Sequence, residues 1–168
     1  MTNGEGDEGA EGRPPSPYDQ VPIPMLLREA RSTYRQVIRV FLAEAGFEDV
    51  PRNGAFVLGS IANHGMPQEE IVQALQVSKQ AASQLIDALV VRGYLERVPD
   101  ASDRRRITLN ATERGRAAGN AVRAGVRNLD LELTKRLAPE DMVVFRAGLI
   151  ALAEIGEAGE KSPSPDDF

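Results

Sequence analysis

At Gly93 the hydrophobic rhythm of the chain changes. Before it, apolar residues recur every three or four positions. The runs YLERV and RRITL that follow are short and β-prone, and from Thr112 the helical spacing returns. A small extended element is thereby set between two helical blocks, and this order constrains the fold more than any single residue does. Upstream, Leu27, Ala30, Tyr34, Val37, Phe41 and Ala45 mark a helix from Pro24 to Gly46. A second helix is predicted over about 53–64, with Phe56, Leu58 and Ile61 facing inward and a stop at His64-Gly65. Pro67 suits the first turn of a third helix, PQEEIVQALQ, whose Glu69 and Glu70 favour its N-terminus. Ser78 is a good N-cap for a fourth helix running to Arg92, with Gly93 as its stop. Downstream, Thr112 caps a long helix with Ala118, Val122, Val126, Leu129, Leu133 and Leu137 on one stripe. Pro139-Glu140-Asp141 opens a last helix carrying Met142, Phe145, Leu149 and Leu152.

The linker PDASD between the two β-prone runs is rich in turn formers, so the runs read as a hairpin. Four helices, a hairpin and two more helices, with a short turn near Gln76-Val77-Ser78, is the order of a winged helix-turn-helix. The expected fold class is mainly α with a small β-hairpin wing, the winged helix-turn-helix covering about 53–111.

Within that frame the helix after Ser78 divides cleanly. Ala82, Leu85, Ile86 and Leu89 form a buried face, while Lys79, Gln80, Ser83, Gln84 and Asp87 gather on the other side. Small and amide side chains of this kind suit insertion into a DNA major groove about 12 Å wide. An ordinary amphipathic surface helix would look the same. The hairpin adds Arg104, Arg105 and Arg106, where its loop meets the second strand. Guanidinium groups can enter a narrow minor groove, and Asp103 can pair with one of them and hold its rotamer. Taken alone, the arginine run equally suits a charged, solubilising edge strand.

The chain carries a net charge of −5, which at first sight speaks against nucleic acid. Residues 1–20 and 154–168 each contribute −4, however, so 21–153 is +3; within 79–116 eight basic residues face five acidic ones. Residues 1–23, acidic and Gly/Pro-rich, and 159–168 read as disordered tails around one domain at 24–158. The N-terminus lacks the basic and apolar regions of a secretory signal, and no apolar run approaches 18 residues, so the protein is expected in the cytoplasm, away from membranes. Cysteine is absent and His64 is the only histidine, so no metal site or cofactor is expected. No Gly-rich phosphate loop, Ser/His/Asp set or carboxylate pair argues for an enzyme.

The stretch VSKQAASQLIDALVVRGYLERVPDASDRRRITLNATERG resembles the core of the MarR (multiple antibiotic resistance regulator) family. Leu89, Gly93-Tyr94-Leu95-Glu96-Arg97, Asp103-Arg104-Arg105 and Ala111-Thr112-Glu113-Arg114-Gly115 carry the likeness over about forty residues, and the helix order extends it over roughly 24–158. The resemblance implies a homodimeric transcriptional regulator, most simply a repressor, that binds a pseudo-palindrome of double-stranded DNA. Helices at about 24–46 and 112–158 would form the dimer. It further implies Arg105 as the wing arginine in the minor groove and Asp103 as its orienting partner, with Arg104 and Arg106 beside them. Ser78, Lys79, Gln80, Ser83 and Gln84 would supply major-groove and phosphate contacts. Gln84 stands where a basic residue is frequent in the family, and Ala111 where leucine is usual. A small aromatic effector is implied between the dimerisation helices and the DNA-binding lobe, near Tyr34, Arg35, His64 and Met66, although core packing accounts for Tyr34 and Met66 equally well and the residues do not define an effector site. The alternative is a winged-helix protein-interaction module without DNA binding.

Overall fold

The structure, a computed structural model, describes residues 15–61, 66–75, 77–99 and 107–160. Helix α1 (Ile23–Glu44) opens the domain, with Pro24 in its first turn, and Gly46 follows its end at φ 79°. Then come α2 (Gly54–Ile61), β1 (Met66–Pro67), α3 (Gln68–Ala74), α4 (Lys79–Val91), β2 (Leu95–Pro99), β3 (Ile107–Ala111), α5 (Glu113–Thr134) and α6 (Pro139–Glu160). The expected helix order is present.

Two details differ from the sequence reading. Pro67 does not open the third helix from within; it lies in β1 and sits one residue before α3, with φ −53° and ψ 136°. Its extended ψ lets Met66 and Pro67 pair with Leu109 and Thr108, so the wing is a three-stranded antiparallel sheet in the order β1-β3-β2. Phe56 does not face inward: it is 53 % exposed, while Val57, Leu58 and Ile61 are buried. In a helix of only eight residues, a one-residue rotation of the apolar stripe decides which side chain is inside.

The core gathers where α2, α4, α5 and the sheet meet. Leu58, Ile61, Ile86, Leu89, Leu95 and Leu109 are fully enclosed, and Tyr94 is the largest side chain among them. Burying each of these apolar side chains contributes about 1.5–3 kcal/mol, so this cluster dominates the stability of the lobe. α5 enters the lobe by close approach. An added methyl at Gly115 would meet the Tyr94 carbonyl oxygen at 2.0 Å, and one at Gly125 would meet Cα of Ile38 in α1 at 3.1 Å. Small residues at these two points let α5 lie against the start of β2 at one end and against α1 farther along.

α6 is the exception to this packing. It has no extensive contact with any other element, and Val143 (69 %), Phe145 (44 %) and Ile155 (69 %) are exposed along it. α1 adds exposed Ile23, Met25, Leu27 and Val40. Apolar surface on this scale is uncommon on a soluble monomer. No described helix is long and apolar enough to cross a membrane.

Candidate nucleic-acid interface

The geometry starts from the cap of α4. Ser78 is extended (φ −58°, ψ 147°), and its hydroxyl oxygen accepts a hydrogen bond from the Ala81 amide at 3.2 Å, satisfying one of the otherwise unpaired donors of the first turn. At the other end Gly93 takes φ 71°, a left-handed turn that only glycine adopts without penalty, and donates its amide to the Val90 carbonyl at 2.9 Å. Between these limits Ala82, Ile86 and Leu89 are buried and Leu85 is half-buried. Lys79, Gln80 and Gln84 are exposed on the other face, as is Ser78; Ser83 is half-buried between the two faces. The major-groove residues expected from the sequence thus share one accessible surface.

Asp87 departs from that group. Its carboxylate accepts a hydrogen bond from Arg97 Nη2 of β2 at 2.6 Å, and Arg97 Nε reaches Gln68 Oε1 of α3 at 3.5 Å. One arginine therefore ties the wing to both helices of the helix-turn-helix. With Arg97 and Asp87 36 % and 60 % exposed, the pair stabilises the fold by about 1 kcal/mol at most. Its consequence is geometric, since it fixes the angle between wing and α4. Arg97 is visible in the sequence as the end of GYLER, but its partner ten residues earlier carries no local signal.

β2 and β3 pair from Leu95↔Ala111 to Pro99↔Ile107. The segment carrying Asp103, Arg104, Arg105 and Arg106 joins the paired ends, and those four residues lie outside the described ones, as does His64.

A second polar cluster braces the base of the wing. The Tyr94 hydroxyl donates to Asp49 Oδ1 at 2.5 Å, and Arg114 Nη2 donates to both Asp49 oxygens at 2.9 and 3.1 Å. The Arg114 guanidinium also lies 4.5 Å from the centre of the Tyr94 ring, a cation–π distance. The Tyr94 hydrogen bond, with Arg114 behind it, holds the Asp49 carboxyl below its usual range, while burial raises the Tyr94 phenol. Thr112 completes the joint. Its hydroxyl donates to the Gly93 carbonyl at 2.6 Å and accepts from the Gly115 amide at 3.0 Å, capping α5. Among the described residues, no group of three or more His, Cys, Asp or Glu side chains gathers to hold a metal ion.

A capped helix with one accessible polar face, buttressed by a second helix and flanked by a braced β-wing, defines a winged helix-turn-helix protein. A MarR-family sequence profile matches residues 48–106. The HTH-type transcriptional repressor MdtR of Bacillus subtilis is 29 % identical over 107 residues, which span 63 % of this chain and 69 % of MdtR. The transcriptional repressor MprA of Escherichia coli K12 is 28 % identical over 99 residues, 59 % of this chain and 56 % of MprA. Streptococcus pneumoniae FabT, solved in complex with DNA, shares the fold at a TM-score of 0.69 and 20 % identity, covering 81 % of this chain and 96 % of FabT. Over residues 48–106 the chain is thus similar to the MarR family of winged-helix transcriptional regulators, and its fold is that of the solved members.

Proposed function

We propose that the chain is a cytoplasmic, non-catalytic repressor that binds a pseudo-palindromic operator as a homodimer and is released by a small molecule. The observation that carries this reading is the outer face of α4, which is accessible, polar and held at a set angle to the wing by the Arg97–Asp87 contact. Lys79, Gln80, Ser83 and Gln84 read the major groove from that face, and Ser78 adds a phosphate contact at the helix start. Arg105 enters the minor groove, oriented by Asp103 and flanked by Arg104 and Arg106. The exposed apolar residues of α1 and α6 support dimerisation, because a second copy is what would take them out of water. Two copies of α4 related by a two-fold axis then meet half-sites about one helical turn apart. Repression is the activity named for MdtR and MprA, and FabT was solved on DNA.

A gel shift of the full chain against DNA flanking its own gene tests this reading. A discrete complex is expected, with affinity falling steeply as salt rises because each neutralised phosphate releases counterions. Arg105→Ala is expected to weaken the specific complex at least tenfold; wild-type affinity in that variant sinks the wing assignment. No shift at any salt concentration, with the acidic tails present or deleted, favours the protein-interaction module instead.

A further inference from the structure

Between α1, α2 and α5 lies a cavity of about 1140 Å³ whose lining is unusually cationic. Arg31, Arg35, Arg39, Arg52, Arg123 and Arg127 line it, against a single carboxylate, Glu48. These are six of the twenty basic residues in a chain that is acidic overall. Arg31, Arg35 and Arg39 recur every fourth residue along α1, a ridge about 12 Å long at 1.5 Å per residue. Arg123 and Arg127 repeat that spacing on α5. Like charges four apart on a helix repel, and Arg31, Arg35, Arg39, Arg52 and Arg127 form no ion pair with another described residue. Ile38, Leu42, Phe47, Phe56, Val122 and Val126 give the lining an apolar side, and Ser32, Gln36, Asn53 and Ser60 add neutral polar groups. The cavity also reaches Leu75 and Val77, the described residues that lead into α4.

We infer that this cavity takes an amphipathic anion of the phosphate-ester class, with a doubly charged head on the arginines and an apolar body against the Ile38–Val126 side. The inference deepens the effector reading above by naming the ligand chemistry, and it rests on that reading only for its regulatory consequence. Guanidinium forks bind phosphate oxygens in pairs, so a phosphate dianion engages more than one arginine where a monocarboxylate engages one. A neutral aromatic would leave the repulsion along α1 in place. Because the cavity wall includes Leu75 and Val77, an occupant presses on the turn that sets the position of α4.

Isothermal titration calorimetry on the DNA-free full chain at pH 8 and low salt tests the assignment, with 1-naphthyl phosphate, n-octyl phosphate, 1-naphthoate, 1-naphthol and inorganic phosphate as probes. At this pH a phosphate monoester is a dianion. One phosphate ester is expected to bind saturably, one per chain, at least tenfold tighter than naphthoate, naphthol or inorganic phosphate. Which of the two esters binds more tightly tells an aryl from an alkyl ligand. Added salt, or the substitutions Arg35→Gln and Arg127→Gln together, should weaken that binding tenfold or more. Arg39→Gln alone should weaken it less, and Arg136→Gln, outside the cavity, should not change it. The inference is overturned if neither ester binds, if naphthol or naphthoate binds as tightly, or if the double variant, folded by circular dichroism, binds like the wild type. The gel shift without probe reports separately on the regulator reading, so either can fail alone.

Discussion

A methyl group added to Gly115 would sit 2.0 Å from the Tyr94 carbonyl oxygen, well inside any permitted contact. Backbone, not a flexible side chain, is in the way, so Gly115→Ala has to displace α5 from the wing. The expected loss is at the upper end of overpacking costs, about 3 kcal/mol, read as a lowered midpoint in urea; an unchanged midpoint would mean that the joint yields freely. Tyr34 offers a second test at single-residue scale. Its hydroxyl donates to Asp130 at 2.5 Å across α1 and α5, and burial, then that hydrogen bond and the carboxylate's charge, push its pKa up to about 12 from 10.0. A raised folded-state pKa means that the folded protein holds the proton more tightly. The stabilisation is therefore complete below pH 10 and is lost as pH rises towards 12. Tyr34→Phe should flatten the fall in stability over that interval relative to wild type, with the slope at neutral pH unchanged. Single residues of this kind are legible in the sequence only when their partners are local. Ser78, Gly93 and Thr112 make their capping contacts within three or four positions of themselves and so announce their caps. The bond from Thr112 to the Gly93 carbonyl, nineteen residues back, is not announced in this way. Asp49, 45 residues from Tyr94 and 65 from Arg114, has no such signal.

Among the elements, α4 is defined by what holds its two ends. Ser78→Ala removes the cap acceptor and is expected to cost about 1 kcal/mol of stability, measured by chemical denaturation. Because the same residue begins the proposed DNA face, affinity should fall with it. Asp87→Ala separates the two quantities. It breaks an exposed ion pair, so the midpoint of unfolding should shift little, yet the wing loses its tie to α4 and specific DNA binding should drop several-fold. Full affinity in that variant would mean that the wing needs no such brace. Periodicity makes the long elements plain, since α5 and α6 each extend over 22 residues and repeat their stripe several times. It fails for α2 and β1. Eight residues give the stripe too few repeats to exclude Phe56, and a two-residue strand containing proline carries no alternation at all.

At the scale of the whole molecule, the apolar faces of α1 and α6 stand exposed on the single chain, and the proposed dimer would cover them. Sedimentation is expected to give a dimer at micromolar concentration, and Leu149→Glu with Leu152→Glu should yield monomers of lower stability. A variant pair that still sediments as a dimer would remove α6 from the interface. The helix order and the polarity of the recognition face are legible in the amino-acid sequence, because each follows from spacing along the chain. The arginine cavity is not. The i, i+4 repeats on α1 and α5 can be seen in the sequence, but only the close approach at Gly125 turns them toward a shared space.

That same approach gives α5 a fulcrum. Glu113 lies twelve residues from Gly125, about 18 Å along the axis, so a tilt of roughly 5° about the Ile38 contact swings the wing end by about 1.5 Å. In a two-fold pair the displacements add to about 3 Å, close to the 3.4 Å rise of one nucleotide step. If the lobe moves as one body with α5, a tilt of this size in a two-fold pair shifts the spacing of the two α4 faces by about one nucleotide step.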